Sequence, residues 1–146
     1  MVNDTIKATG DVSIKVYDEA GNLKDERTIK NLVVNVGKSF IASRMVGTTA
    51  AVMSHMAIGS SSTTPAGADA GLGGELGRAA LTGSSSSGAV VTYTANFAAG
   101  VGTGAVVEAG IFNAASSGTM LCRTTFAVVN KGANDGMSIT WTITVS

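Results

Sequence analysis

Alternation of apolar and polar residues dominates the chain and predicts β-strands. The clearest case is the last segment, where every second residue from 137 to 145 is large and apolar and the residues between are Ser or Thr. Side chains on a strand point alternately to opposite faces, so this segment has one buried face and one outward face. Trp141 lies in the centre of the apolar face, and we predict that it anchors the core.

Weaker alternation recurs through the rest of the chain. Val12, Ile14 and Val16 alternate with polar residues, and the glycine and asparagine at 21–22 provide a turn into a polar return strand. Further strand candidates are 90–97, 105–112 and 119–129. Seven or eight short strands separated by turn signals predict a mainly β fold, an antiparallel β-sandwich that is jelly-roll-like.

Only one segment has convincing helical spacing. Val36 and Phe40 lie four residues apart, and so do Ile41 and Met45. Asn35 precedes the segment and can cap its first turn. We therefore predict one short α-helix at about 36–45.

Charge is unevenly distributed along the chain. The 146 residues include ten basic and ten acidic side chains, and more than half of these lie in residues 1–31. With the hairpin pattern, this indicates a charged N-terminal arm over 1–31, suited to docking on a neighbour, and a β-sandwich body over 32–146. The balanced charge argues against nucleic acid and anionic membranes as partners.

Motifs for catalysis and cofactor binding are incomplete. Gly37-Lys38-Ser39 is similar to the end of a phosphate-binding loop, but Leu32 occupies the position where that loop needs its first glycine. His55 is the single histidine and Cys122 the single cysteine, which excludes most clusters of metal ligands and most nucleophile–base pairs. We predict no catalytic residue, no cofactor and no metal site.

One carboxylate stands out from its surroundings. Glu108 lies inside an apolar run from 105 to 112, and a carboxylate in a buried strand must be paired or hydrogen-bonded. Its candidate partners are Arg78 and Arg123, and both arginines can equally neutralise Glu75. We predict a structural ion pair here rather than two catalytic carboxylates facing each other across a cleft.

Several short segments, in this order, carry a resemblance to a known family. The most specific are Gly37-Lys38 followed by Ile41-Ala42-Ser43-Arg44, and Glu108-Ala109-Gly110-Ile111-Phe112. Others are Asn31-Leu32-Val33-Val34, Met56-Ala57-Ile58-Gly59, Met120-Leu121-Cys122-Arg123 and Ile139-Thr140-Trp141. From about Asp11 to its end, the chain resembles a small family of tailed-bacteriophage virion structural proteins.

The resemblance implies a non-enzymatic, β-rich component of the virion, assembled in the host cytoplasm. The favoured function is a capsid decoration, or cement, protein that binds the major capsid protein on the outer shell and stabilises contacts between capsomers. We expect it to bind as an oligomer of identical copies, a homotrimer. The alternative is a tail, baseplate or fibre structural protein with tail or baseplate proteins as partners.

Overall fold

The structure is a computed structural model that describes residues 6–47 and 50–146. Over these residues the chain forms nine strands, all paired antiparallel, and one helix, α1 (Asn35–Arg44). The strands are β1 (Ala8–Tyr17), β2 (Leu23–Lys30), β3 (Leu32–Val33), β4 (His55–Gly59), β5 (Glu75–Ser87), β6 (Val90–Phe97), β7 (Gly104–Phe112), β8 (Met120–Lys131) and β9 (Gly136–Val145). The prediction of a mainly β fold with one short helix is confirmed.

The long strand β5 divides the sheet into two halves. Residues 75–80 of β5 pair with β4, and residues from 81 onward pair with β6, with a register shift between Leu81 and Gly83. The first half-sheet has the order β2-β1-β9-β6-β5, and the second half-sheet has the order β5-β4-β7-β8-β3. Apolar side chains from both half-sheets form one core, so the fold is a sandwich-like, nearly closed barrel.

A single run of chain closes the sheet. β2 pairs with β1 at one edge, and β3, which follows after one residue, pairs with β8 at the other edge. The residue between them is Asn31, whose backbone N–H donates to the Gly10 carbonyl at 3.1 Å. A Cβ at Gly10 would overlap the side-chain amide of Asn31, so glycine allows this side chain to pack where the two edges meet. Further along, the Thr124 hydroxyl donates to the Lys30 carbonyl at 2.8 Å and joins β8 to β2.

The helix lies close to its predicted position, but its first turn differs from the prediction. Asn35 is the first helical residue rather than the cap, and Val34 occupies the cap position without a side-chain hydrogen bond. A Cβ at Gly37 would overlap the Leu121 carbonyl of β8, so this glycine allows close packing of α1 on the barrel. Among the described residues, no helix is long and apolar enough to cross a membrane.

The division into an arm and a body is corrected by the position of β1. This strand lies inside the first half-sheet and pairs with β9 from Ala8 to Tyr17. Val12, Ile14 and Val16 are buried in the shared core, so residues of the predicted arm are part of the barrel. The charge in this region sits on the outward face of β1 and on both faces of β2, where Arg27 and Asp25 lie opposite Ile14 and Val16, so the inward face is apolar on β1 alone. Residues 1–5 of the predicted arm lie outside the described residues.

Trp141 is completely buried, and its neighbours on the adjacent strands are Val12 and Tyr93. Because its indole N–H has no hydrogen-bond partner among the described residues, its contribution comes from apolar contact. We expect Trp141→Ala to lower the free energy of unfolding by about 3–5 kcal/mol, measured by chemical denaturation. Thr142→Ala, on the outward face of the same strand, is the control and should change stability by less than about 1 kcal/mol. A near-wild-type midpoint for Trp141→Ala would contradict its role as an anchor.

Deletion of residues 1–22 should abolish cooperative folding. The deletion removes β1, exposes the edge of β9 and takes Val12, Ile14 and Val16 out of the core. Circular dichroism during heating should show no cooperative transition in the truncated chain. Replacing the partly exposed ion pair on β2 with Asp25→Asn and Arg27→Gln is the control, which should melt close to the wild type. A cooperative transition in the truncated chain would show that the hairpin is dispensable.

Candidate functional site

The predicted charged residues lie on the outward face of the second half-sheet. Glu108 is on β7, and Arg123 is on the neighbouring strand β8. Arg78 is on β5, and Glu75 begins that strand. The chain between β4 and β5, residues 60–74, supplies hydrogen-bond partners to the first two, and we call it the covering loop. The buried charges that the sequence singled out, Glu108 and Arg123, therefore attach this loop to the sheet.

Glu108 is fully buried, with 0% of its surface exposed. Its Oε1 accepts a hydrogen bond from the Gly73 amide at 2.7 Å. Its Oε2 accepts from the amides of Ser61 at 2.7 Å and Gly74 at 3.2 Å. These three donors come from the two ends of the covering loop, so one carboxylate holds both ends together. The Nε of Arg123 lies 3.7 Å from Oε1, an ion pair without a hydrogen bond.

Arg123 fastens the middle of the covering loop. Its side chain is buried, and its Nη1 donates to the Thr63 carbonyl at 2.9 Å and to Asp69 Oδ2 at 3.2 Å. The same Asp69 oxygen accepts a hydrogen bond from the Ala66 amide at 2.9 Å. The guanidinium therefore lies between two carboxylates, one from the sheet and one from the loop, and its charge offsets the cost of burying Glu108.

Arg78 belongs to a separate cluster. Its Nη2 and Nε contact the Glu75 carboxylate at 2.6 and 3.1 Å. Its guanidinium carbon lies 3.9 Å from the centre of the Phe112 ring, a cation–π contact. Its Nη1 also donates to the carbonyls of Ala114 and Ser117, each at 2.9 Å, and so holds the turn between β7 and β8. Of the two arginines left open by the sequence, Arg123 is the one beside the buried carboxylate.

Sequence reasoning missed the loop's contribution to this site. Asp69 and the three amide donors to Glu108 lie in a Gly-, Ser- and Thr-rich segment that has no periodic pattern. The available signal was that Asp69 is one of only four carboxylates after residue 31, the others being Glu75, Glu108 and Asp135. In a body so poor in charge, each carboxylate is a candidate partner for an arginine.

The remaining polar residues singled out by the sequence lie apart from this cluster. His55 Nδ1 is 2.8 Å from the hydroxyl of the adjacent Ser54, at the start of β4. Cys122 is buried in the core, and burial raises the pKa of its thiol, which keeps it protonated. Lys38 is exposed on α1. Within residues 6–47 and 50–146, no group of three or more His, Cys, Asp or Glu side chains could hold a metal ion.

A second charged cluster ties the β1–β2 hairpin to the turn before β9. Lys24 Nζ lies 2.6 Å from Asp135 Oδ2, which also accepts the Gly132 amide at 2.7 Å. These two hydrogen bonds lower the pKa of Asp135. Nearby, Lys131 Nζ donates to the Ala98 carbonyl at 2.9 Å, and burial lowers the pKa of this lysine. The cluster attaches the start of β2 to the turn between β8 and β9.

Comparisons with protein-family models, with curated proteins and with solved structures found no match for this chain. Both oxygens of Glu108 are occupied by amides of the chain, and Arg123 is enclosed by the covering loop. This arrangement can hold a loop against a sheet, and its charged atoms are turned away from solvent.

Glu108→Gln should lower the free energy of unfolding by about 3–5 kcal/mol, because the change leaves Arg123 without its buried counter-charge. The new NH2 group would also face an amide donor, where the native oxygen accepts a hydrogen bond. Chemical denaturation at neutral pH measures the effect. The matched control is Glu26→Gln on the exposed strand β2, with an expected change within about 0.5 kcal/mol. Equal effects of the two substitutions would contradict the role assigned to Glu108.

Proposed function

We propose that this protein is a non-enzymatic structural subunit of a bacteriophage virion and acts as a capsid decoration protein on the outer shell. Its partner in this proposal is the major capsid protein. The resemblance of its segments to tailed-phage virion proteins supports the proposal, as does the use of its buried charges to fasten loops. A third support is a surface suited to broad protein contact.

This surface is the outward face of the first half-sheet. Residues that lie opposite one another on neighbouring strands form rows, and these rows consist mainly of Ser and Thr. One row comprises Thr28, Ser13, Thr140 and Thr94, and the next comprises Lys30, Asp11, Thr142, Thr92 and Ser85, where Lys30 and Asp11 form an ion pair. We call this surface the hydroxyl face.

The hydroxyl face has the physical properties of a docking platform. Its side chains are short and sit on a sheet, so covering them costs less conformational entropy than covering long charged side chains. Each hydroxyl can both donate and accept, so a partner can satisfy the part of this face on β9, β6 and β5 without burying a charge. The charged residues of the face, Asp11, Lys15, Glu26 and Lys30, lie on β1 and β2 at its side. Five strands of about eight residues span roughly 20 by 26 Å, or about 500 Å2, a large share of the ~800 Å2 that each partner buries in a stable interface.

Two large cations in the centre of the hydroxyl face should block docking. We expect Thr92→Arg combined with Thr140→Arg to weaken binding at least about tenfold, because close approach then requires burial of two charges. The measurement is co-sedimentation with particles stripped of the native protein. Circular dichroism should stay unchanged because both positions face outward.

The matched control is Ser86→Arg, which lies on the opposite face of the same half-sheet, across from Val91. Unchanged binding by the double variant would remove the hydroxyl face from the proposal. Densitometry of purified particles tests the location itself. A copy number comparable to that of the capsid protein supports shell decoration, a far lower one favours the tail or baseplate, and absence from particles overturns the proposal.

A further inference from the structure

An apolar groove lies beside α1, at the end of the barrel where β1 begins and β9 ends. It has a volume of about 500 Å3, and its lining includes Ile6, Ile41 and Met45. Two of these side chains are strongly exposed, Ile6 at 80% and Met45 at 85%. Large apolar side chains exposed together mark a site of interaction.

The groove is rimmed by positive charge. Lys7 and Lys38 both line it, and its lining contains no carboxylate. Among the described residues, neither lysine takes part in an ion pair. The complementary occupant therefore combines an apolar side chain with neighbouring carboxylates.

The turn between β1 and β2 has this complementary character. Asp18 and Glu19 lie in the turn, and Leu23, which begins β2, is 51% exposed. Within the described residues neither carboxylate is in an ion pair, and the adjacent Lys24 is already engaged with the β8–β9 turn. We call residues 18–23 the acidic tip.

Of the other side-chain carboxylates of the described residues, all but Glu26 are in ion pairs. Glu26 lies opposite Lys15 in the pairing of β1 with β2. The remaining ones are in ion pairs with lysines or arginines of the same chain: Asp11, Asp25, Asp69, Glu75, Glu108 and Asp135. The acidic tip is therefore the place in the described chain where two adjacent carboxylates outside any ion pair lie beside an exposed apolar side chain, although Asp18 Oδ1 also accepts the Asn22 amide at 2.8 Å.

The groove and the acidic tip lie at opposite ends of one strand. β1 runs from Ala8, next to the groove, to Tyr17, next to the tip, a distance of about 30 Å for ten residues. A copy cannot fill its own groove across that distance. Contact between two different surfaces of identical copies joins them head to tail, in a closed ring or an open chain.

We propose that copies of this protein associate head to tail, with the acidic tip of one copy seated in the lysine-rimmed groove of the next. In this contact Leu23 packs against Ile41 and Met45 of the groove. Asp18 and Glu19 then face Lys7 and Lys38 at its rim. This inference deepens the proposed function, because it names the surfaces through which copies on the virion contact one another.

Analytical ultracentrifugation of the purified chain over a concentration series measures this association without any virion. The wild type should associate, and more weakly at about 0.5 M than at about 0.05 M salt, because salt screens the contact between charges. Lys7→Glu with Lys38→Glu reverses the groove, and Asp18→Lys with Glu19→Lys reverses the tip. Each double variant should associate at least about tenfold more weakly than the wild type, because like charges then face each other.

A mixture of the two double variants is the decisive control. The reversed groove then meets the reversed tip, and the native groove meets the native tip, so association should return to the wild-type level. The variant carrying all four changes should likewise associate on its own. Circular dichroism of each variant checks that the fold is retained.

A wild-type chain that stays monomeric at all concentrations overturns the inference, as does association that both double variants retain. Failure of the mixture to restore association also overturns it. Weaker binding of Met45→Ser to stripped particles, with self-association unchanged, would assign the groove to the shell instead. Because the ultracentrifuge experiment contains no particles, its failure leaves the copy-number test of the proposed function intact.

Discussion

The closure of the sheet at Asn31 is the constraint on which the other features of this fold depend. An open sheet leaves two unpaired edges, and here one run of chain, β2 followed by β3, contacts both of them. That connection requires β1 to lie inside the sheet and lets both half-sheets share one core. It also separates the acidic tip from the groove by the length of β1. At the junction, the side-chain amide of Asn31 occupies the space that a Cβ at Gly10 would need.

The outward face is covered in the second half-sheet and open in the first. The second half-sheet buries its outward face under the covering loop, and its buried carboxylate, Glu108, is satisfied by three amides and one arginine. A buried ion pair adds little net stability compared with apolar packing, but removing one partner is costly. The cluster therefore specifies where the loop lies. The first half-sheet leaves its outward face open, with charged side chains on β1 and β2 and short hydroxyl side chains on β9, β6 and β5.

The proposed function and the proposed self-association use different surfaces of the barrel. The hydroxyl face lies on the outward side of the first half-sheet, while the groove and the acidic tip lie at the ends of β1. A subunit with this arrangement can contact a shell through its side and its neighbours through its ends. The low charge of the chain beyond residue 31 is consistent with such extensive contact, since few ions would have to be desolvated.

The sequence by itself determined the strand character of the chain, the short helix and the inward position of Trp141, because these depend on side-chain periodicity within a few residues. It also identified Glu108 as a charge that needs a partner, because a carboxylate in an apolar run has no other stable state. The choice of Arg123 over Arg78, the contribution of Asp69 and the inclusion of β1 in the barrel were decided only by the tertiary structure. Each of these depends on the register between segments far apart in sequence, and that register is set by closure of the whole sheet rather than by local pattern.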